Sequence, residues 1–176
     1  MAGGLKEVRE RITSVQNTVQ ITSAMKMVAA AKLRRAQDAI TRMRPYAEKL
    51  QAVLSNVSAS LDSGEGVYSE KRDVKRVLLV AITSNRGLCG GFNNNIIKQV
   101  NNAIKQGGAE YHVLPLGKKA NDAFKKDASL APQGFGEDTW KIFDDLNFDA
   151  AQEVAEAIME QFRAGTYDAV KICLLY

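Results

Sequence analysis

A glycine-rich string lies between a short apolar run and a helical pattern, where phosphate-binding loops occur in α/β proteins. It reads TSNRGLCGGFNNN from Thr83 to Asn95 and overlaps the end of the apolar run RVLLVAITS. Its glycines, Gly87, Gly90 and Gly91, match neither G-x-x-x-x-G-K-[ST] nor G-x-G-x-x-G, and no Lys-Ser or Lys-Thr follows them. Without that lysine and hydroxyl, the string has no mechanism for holding a triphosphate with magnesium. We interpret it as a tight structural turn that is open to a protein contact.

Residues suited to nucleophilic or acid-base catalysis are sparse. Cys89 lies in this string, but the single histidine, His112, falls in a different predicted element, so no Cys-His pair is predicted. We interpret Cys89 as a structural thiol and His112 as a half-buried strand residue. Two pairs of neighbouring acids are typical of solvated loops: Glu137 and Asp138, and Asp144 and Asp145. We predict no catalytic residue, no metal ligand and no cofactor.

The composition is that of an ordinary soluble protein, with 176 residues, 45% hydrophobic and 25% charged. Its two cysteines, Cys89 and Cys173, form no zinc pattern and suit a reducing compartment. No apolar run approaches the ~18 residues of a membrane span, and the start MAGGLKEVRERI lacks a secretory apolar stretch. We therefore expect membrane attachment only through partners. The formal net charge is +4, and its basic excess lies in residues 1–61.

The elements that must position the glycine-rich string alternate between apolar runs and helical patterns. Strands are predicted at Arg76–Ser84, Tyr111–Leu116 and Ala169–Tyr176, and helices at 94–106, 118–126, 140–146 and 151–163. The order predicts right-handed crossovers and an α/β fold with a Rossmann-like parallel sheet and helices on both faces. The third run is continuously apolar, which predicts a strand inside the sheet and leads us to expect further sequence after it.

The first third of the chain predicts one long helix. From Leu5 to Leu61 there is no glycine, and apolar residues recur at spacings of three and four, forming a heptad seam in which only Thr22 and Lys26 are polar. Pro45 predicts a bend, because proline lacks an amide hydrogen and crowds the preceding turn. We divide the chain into a shaft helix at 1–62, a linker at 63–74 and the α/β domain at 75–176.

This apolar seam needs a covering helix, because most helix stability in water comes from burying such a stripe. At ~1.5 Å per residue the helix spans roughly 85 Å, so we expect most of it to project from the domain. The longest other helical pattern, 148–164, is far too short to cover the seam. The covering helix is therefore expected to be missing from these residues or to belong to another chain.

The same helix carries a concentration of basic residues, which indicates an electrostatic partner. A nucleic acid, a membrane surface and an acidic protein loop are the three candidates. Tyr46 is the only aromatic residue in the segment, which disfavours nucleic acid. A solvated coiled-coil flank with no specific partner remains an alternative. The basic residues are Lys26, Lys32, Arg34, Arg35, Arg42 and Arg44.

Three stretches resemble the gamma-subunit family of F-type ATP synthases. They are the start MAGGLKEVRERITSVQNTVQITSAMKMVAAAKLRRAQ, the string MRPYAEKL from Met43 and the string ITSNRGLCGGFN from Ile82, and their order and approximate spacing also match. The resemblance implies a long N-terminal helix, a central Rossmann-like domain and a long C-terminal helix that pairs antiparallel with the first. This sequence ends before such a helix, so we expect a fragment or a truncated product.

The resemblance implies a non-catalytic rotor subunit that couples rotation of a proton-driven membrane ring to ATP synthesis in the catalytic subunits. The implied partners are the alpha and beta subunits of the catalytic head, the epsilon subunit and the membrane c-ring, with no nucleic acid and no cofactor. We expect a peripheral position on the cytoplasmic face of a bacterial inner membrane, since no transit-like leader precedes MAGGLKEV. The alternatives are a free-standing nucleotide-binding α/β enzyme and a basic coiled-coil scaffold or nucleic-acid binder.

Two contact regions are implied by the same resemblance. The SAMKMVAA string matches the family's contact with an acidic loop of the catalytic subunit, so we predict that Met25 and Lys26 contact that loop. Basic neighbours are predicted to help electrostatically: Lys32, Arg34 and Arg35. The glycine-rich string is predicted to contact a subunit that the resemblance does not specify, through Arg86, Gly87, Leu88, Cys89, Gly90, Gly91 and Asn93.

Overall fold

The computed structural model describes residues 3–60, 66–68 and 72–175, and the chain divides into two compact units, Met1–Asp62 and Ser63–Tyr176. The first unit is built on one helix, α1 (Gly3–Ser60), which continues through Pro45 without a break. A proline removes one intrahelical donor, and the neighbouring alanine, glutamate, lysine and leucine are strong helix formers that sustain the helix around it. The predicted bend at Pro45 stays a prediction.

The large apolar side chains of the α1 seam are all exposed. Leu50 is the least exposed of them at 46%, so none of residues 3–60 covers the seam. Although α1 has the length to cross a bilayer, no helix in the described part of the chain combines that length with enough apolar character. The exposed seam residues include Leu5, Val8, Ile12, Val15, Val19, Leu33, Ile40, Met43, Leu50 and Leu54.

Several threonine hydroxyls on α1 bond to the backbone of the same helix. The Oγ1 of Thr22 donates to the carbonyl oxygen of Thr18 at 2.8 Å and lies 3.1 Å from that of Val19. Thr13, Thr18 and Thr41 each donate to the carbonyl oxygen four residues earlier. Thr22 is therefore a polar seam residue whose hydroxyl already has an acceptor.

The second unit contains a three-stranded parallel sheet. Its strands are β1 (Arg76–Ile82), β2 (Glu110–Leu116) and β3 (Ala169–Cys173), in the order β2-β1-β3. Val77 pairs with Tyr111 of β2 on one side and with Ala169 of β3 on the other. This arrangement confirms the predicted α/β fold with a parallel sheet.

Three α-helices connect and cover these strands. They are α2 (Phe92–Gln106), α3 (Lys118–Phe124) and α4 (Phe148–Arg163). The segment predicted as a short helix at 140–146 is a 3-10 helix at Thr139–Phe143, and a second 3-10 helix, Ala128–Leu130, was not predicted. Asn147 fixes the start of α4, because its side chain accepts a hydrogen bond from the Ala150 amide at 2.8 Å.

The core lies on both faces of the sheet. On one face, alternate β1 residues such as Leu79 pack with Ile96 and Val100 of α2 and with Phe124 of α3. On the other face, Leu78 and the remaining β1 residues pack with Tyr167 and with α4. Because β1 is buried on both sides, it lacks the polar alternation of a half-exposed strand. The prediction of helices on both faces is confirmed.

Two strand boundaries and one burial prediction were wrong. Thr83 and Ser84 lie outside β1: the Thr83 amide still donates to the Leu116 carbonyl oxygen of β2 at 2.8 Å, but the Ser84 amide donates to Asn93 Oδ1 of the following loop at 3.0 Å. The strand predicted at Ala169–Tyr176 ends at Cys173, and Tyr176 lies outside the described residues. Ile172 is 67% exposed, since in the described part of the chain β3 pairs with β1 alone and forms a sheet edge. The apolar composition of β3 did not distinguish an edge strand from an internal one.

Candidate partner-contact surfaces

The 83–93 loop is organised by the side chain of Asn93, which is 7% exposed in the first turn of α2. The Asn93 Oδ1 accepts a hydrogen bond from the Ser84 amide at 3.0 Å. Its Nδ2 donates to the carbonyl oxygen of Arg86 at 3.2 Å and to the sulfur of Cys89 at 3.0 Å. One amide side chain therefore holds both ends of the turn from beneath the loop, and the predicted partner contact of Asn93 stays a prediction.

Thr83 and Asn85 fix the base of the loop, and neither was predicted as a site residue. The buried Thr83 Oγ1 accepts a hydrogen bond from the Ala120 amide of α3 at 2.8 Å. The Asn85 Oδ1 accepts from the Lys118 amide at 2.9 Å, and its Nδ2 donates to Asp144 Oδ1 at 2.9 Å. The sequence did contain a signal for them, namely a threonine and an asparagine soon after a predicted strand. Short polar side chains at such positions accept hydrogen bonds from the unpaired backbone amides at the start of a helix.

The tip of the loop presents Arg86 and Leu88 to solvent. Leu88 has a φ of 62° and is fully exposed, a combination that is rare for a branched apolar residue. Such backbone strain persists only where the surrounding structure imposes it, and it clusters at functional sites. The Arg86 side chain is exposed and makes no hydrogen bond or ion pair with any residue that the structure describes. The loop therefore offers one apolar group and one unpaired cation.

An open cleft of about 810 Å³ lies beside this loop at the carboxyl end of β1. Phe92 and Phe143 contribute to its lining together with Arg86 and Asp144, so apolar surface lies next to charges of both signs. Ligands of open α/β sheets bind at this end of the strands. The remaining lining residues are Ile82, Thr83, Ser84 and Asn85.

The polar side chains of Ser84 and Asn93 in the loop bond to one another and to the Arg86 carbonyl oxygen. The Ser84 amide and hydroxyl are both engaged with Asn93 or with the Arg86 carbonyl oxygen. His112 is buried in β2 and contacts Glu110 and Tyr167, so the described residues contain no Cys89-His112 hydrogen bond. The same portion of the chain holds no group of three or more His, Cys, Asp or Glu that could bind a metal ion.

The residues predicted on α1 are all exposed but do not share one face. At 3.6 residues per turn, Met25 and Lys32 are about two turns apart and lie on the same side of the helix. Lys26 is about 100° from Met25, and Arg34 is on the opposite side. A single partner loop approaching Met25 can thus reach Lys32. Arg35 is about 80° from Met25, nearer than Lys26, whereas Arg34 points away from it.

Lys26 is the seam position whose polar group has no partner among the described residues. The Thr22 hydroxyl is bonded to its own helix, whereas the Lys26 ammonium makes no hydrogen bond or ion pair within residues 3–60. From Arg11 to Gln37 the sequence contains no Asp or Glu, so this stretch of α1 is uniformly basic. Its chemistry fits a partner that supplies carboxylates.

Comparison with known proteins gives a consistent match along the chain. A family model described as ATP synthase matches residues 4–175. An ATP synthase gamma chain from Flavobacterium psychrophilum is 51% identical over 170 residues, covering 96% of this chain and 58% of that protein. ATP synthase gamma chains from Flavobacterium johnsoniae and Heliobacterium modesticaldum are 52% and 42% identical, each over 96% of this chain. The chain thus spans about 58% of the length of relatives that it matches.

Proposed function

Because this chain belongs to the ATP synthase gamma-chain family, we propose that it is the central-stalk rotor subunit of a proton-translocating F-type ATP synthase. It couples rotation of the membrane ring to conformational change in the catalytic subunits and performs no chemistry itself. The observation that carries this proposal is the exposed apolar seam of the 58-residue helix α1. We assign residues 1–62 to the shaft, 63–74 to a linker and 75–176 to the domain at its foot.

The seam is covered by a second long helix in this proposal. Burying a leucine or valine side chain stabilises a protein by about 1.5–3 kcal/mol, so a seam of this length gives a covering helix a large driving force. We assign this place to the antiparallel C-terminal helix that the family resemblance implies. Lys26 lies on this seam, so its ammonium group would be buried by the covering helix. A residue packed against it must then supply a carboxylate or a carbonyl group at a helix end.

Differences between the sides of α1 support a coupling mechanism by differential contact. One side carries Met25 and Lys32, the opposite side carries Arg34, and the seam is apolar. A shaft with unlike sides presents different groups to each of the surrounding catalytic subunits at any one angle. Each subunit is then biased toward a different conformation, because a ligand shifts an equilibrium only through its differential affinity for the two states. Rotation moves that bias from one subunit to the next.

Two partner contacts follow from the exposed groups. On α1, we assign Met25, Lys26, Lys32 and Arg35 to an acidic loop of the beta subunit, with Arg34 facing another part of the head. On the 83–93 loop, Arg86 and Leu88 fit a subunit surface that pairs a carboxylate with an apolar pocket. Gly87, Gly90 and Gly91 allow close backbone approach there, because they carry no side chain.

The remaining partners in this proposal are the alpha subunit, the epsilon subunit and the c-ring. The protein is peripheral on the cytoplasmic face of a bacterial inner membrane and is held there through the complex. We assign it no nucleic-acid partner, because the basic stretch of α1 has no interleaved aromatic residues for base stacking.

Affinity capture from detergent-solubilised native membranes tests the proposal. The tagged chain, expressed from its own gene, is isolated and its partners are identified by mass spectrometry. Recovery of alpha, beta, epsilon and ring subunits together is the expected result. Recovery of the chain alone, or with nucleic acid, contradicts it.

Charge reversal on α1 tests the contact with the head. Lys32→Glu is expected to lower coupled ATP synthesis more than Arg34→Glu in the assembled complex, since Lys32 shares a side with Met25. Lys49→Glu, at an exposed position toward the other end of α1, is the matched control. Unchanged synthesis in the Lys32→Glu, Arg34→Glu and Arg35→Glu triple variant contradicts the assignment.

A further inference from the structure

The cleft at the carboxyl end of β1 is bordered by two aromatic rings that belong to opposite faces of the sheet. Phe92 begins α2 and packs against the core on the α2 face. Phe143 ends the 3-10 helix Thr139–Phe143, in which Ile142 packs against the core on the α4 face. The coverings of the two faces therefore part at this end of β1, which is where open α/β sheets bind ligands.

The cleft has the size and the lining of a small-molecule site. Its volume is about 810 Å³, within the roughly 300–1,000 Å³ of typical ligand pockets. Phe92 and Phe143 line it together with Ile82. Aromatic rings attract a further ring in stacked or edge-to-face arrangements, with centroids ~4.5–7 Å apart. A planar aromatic group of one or two rings therefore fits this lining.

Two unlike charges at the cleft remain available to a ligand. Arg86 and Asp144 both line it, yet within the described ranges they form no ion pair with each other. The Arg86 guanidinium has no hydrogen-bond partner in those ranges, and Asp144 Oδ1 accepts from Asn85 Nδ2 at 2.9 Å, which leaves Oδ2. Arginine binds a carboxylate through two parallel hydrogen bonds, and an ammonium group suits the second oxygen of Asp144.

The backbone on both sides of the cleft is fixed before any ligand binds. The Arg86 carbonyl oxygen accepts from Ser84 Oγ at 2.6 Å and from Asn93 Nδ2 at 3.2 Å. On the other side, the bond from Asn85 holds the Asp144 side chain in place. Binding then orders chiefly the Arg86 side chain, which keeps the entropic cost of binding low.

We propose that this cleft binds a small aromatic zwitterion, of the chemical class of a free aromatic amino acid. The ring lies between Phe92 and Phe143, the carboxylate binds Arg86 and the ammonium group binds Asp144. An aromatic anion is repelled by Asp144 and an aromatic cation by Arg86, so the zwitterion is selected over both. The inference does not rest on the proposed rotor function, since every residue of the cleft lies in the second unit.

Fluorine NMR of ring-fluorinated L-tryptophan, mixed with the purified 176-residue chain, tests the inference. A ligand of this size in an open cleft is expected to bind with a dissociation constant on the order of 1 mM. Two ring-fluorinated analogues separate the charges: tryptamine lacks the carboxylate, and indolepropionate lacks the ammonium group. Each should bind about tenfold more weakly than L-tryptophan, the loss expected for one hydrogen bond between charged groups.

Two substitutions identify the groups that bind the ligand. Arg86→Ala should weaken the binding of L-tryptophan about tenfold and leave that of tryptamine unchanged, because tryptamine has no carboxylate. Asp144→Asn should weaken L-tryptophan to a similar extent without weakening indolepropionate, and asparagine keeps the Oδ1 acceptor for Asn85. The matched controls are Lys105→Ala and Asp145→Asn, at exposed positions that do not line the cleft. Both should bind L-tryptophan as the unmodified chain does.

Equal affinities of the unmodified chain for L-tryptophan and its two analogues overturn the inference, because the cleft is then only an apolar surface. No binding of L-tryptophan at ten times the expected dissociation constant overturns it as well. Binding that neither Arg86→Ala nor Asp144→Asn weakens places the ligand elsewhere on the chain and has the same consequence. The comparison of analogues uses the unmodified chain, so it decides the question even if a variant does not fold.

Discussion

The side-chain nitrogen of Asn93 lies 3.0 Å from the sulfur of Cys89, four residues earlier in the chain. The contact joins the first turn of α2 to the exposed tip of the 83–93 loop. Cys89 is exposed and unbridged, as is expected for a thiol at the outer end of such a turn. The reactivity of this cysteine is therefore a direct reporter of whether the loop is closed.

Asn93→Ala is expected to open the loop and accelerate alkylation of Cys89. Loss of a buried polar side chain that bonds to several partners should also lower the free energy of unfolding by about 1–3 kcal/mol. Thiol labelling followed by mass spectrometry measures the first effect and urea denaturation the second. Asn94→Ala, at an exposed neighbouring position, should change neither. Cys173 is the internal reference, because its burial raises the pKa of its thiol and keeps its labelling slow.

Thr83→Val is expected to destabilise the second unit by about 1–3 kcal/mol, because the Ala120 amide then loses its acceptor in a buried position. Valine has nearly the shape of threonine, so packing is preserved and the hydroxyl alone is tested. Thr83→Ser retains the hydroxyl and should recover most of the loss. Thermal unfolding of the three proteins measures the effect, and equal stability of Thr83→Val and the unmodified chain contradicts it.

Leu79→Ala and Leu54→Ala are expected to differ in the chain studied alone. Leu79 is fully buried between β1 and the helices, so its truncation should cost about 2–5 kcal/mol. Leu54 is 58% exposed on the α1 seam, and its truncation should change stability by less than about 0.5 kcal/mol. Equilibrium urea unfolding compares the two. In the assembled complex Leu54→Ala should lower the stability of the subunit. An unchanged stability of Leu54→Ala in the complex would contradict a covering helix.

Stability should depend on the ionisation of Asp168 at acid pH. Hydrogen bonds from the Arg76 amide, and secondarily from the Lys75 amide, lower the pKa of this carboxyl. A pKa lowered by folding contributes stability above the unfolded pKa, near 4, that is lost as pH falls through the folded pKa. Asp168→Asn should therefore be less stable than the unmodified chain at pH 7. The difference should shrink below about pH 4 in urea unfolding, whereas Asp145→Asn, at an exposed position, should show no such pattern.

Leu88→Gly is expected to separate the fold of the loop from its contact. Glycine adopts positive φ without strain, so the free energy of unfolding should stay constant or rise by up to about 1 kcal/mol. Assembly of the chain with the other subunits of the complex should weaken, since the apolar group is removed. Gly108→Ala, outside this loop at a position where a Cβ meets no atom within 4 Å, is the control. Unchanged assembly in Leu88→Gly contradicts the assigned contact.

The periodicities that are strongest in the sequence predicted the largest elements correctly. The spacing from Leu5 onward predicted α1, and the apolar run after Arg76 predicted the central strand. The predicted end of β1 was wrong by two residues, because the bond from the Ser84 amide to the Asn93 side chain depends on the folded loop and is not visible in the apolar pattern. The exposure of Ile172 could not be predicted, because apolar composition does not reveal which strands have two neighbours.

Composition predicted the chemical character of the candidate site but not its geometry. The motif drew attention to Arg86 and Leu88, yet it gave no indication that Asn93 holds the loop from beneath. That arrangement depends on contacts between the loop and the first turn of α2, which only the folded chain brings together. Likewise, the basic residues of α1 were grouped by proximity in sequence, whereas the helix turns Met25 and Arg34 to opposite sides.

The threonine hydroxyls of α1 have a consequence for motion. At Thr13, Thr18 and Thr41 the hydroxyl proton is donated to the same helix, so it is not available for a bond to a neighbour. Hydrogen bonds to a neighbour would have to be broken at every step of a turning helix, and each would hold the helix at one angle. Methyl contacts are non-directional and vary smoothly with angle. In the rotor that we propose, these positions allow α1 to turn past its neighbours without breaking a hydrogen bond at each step.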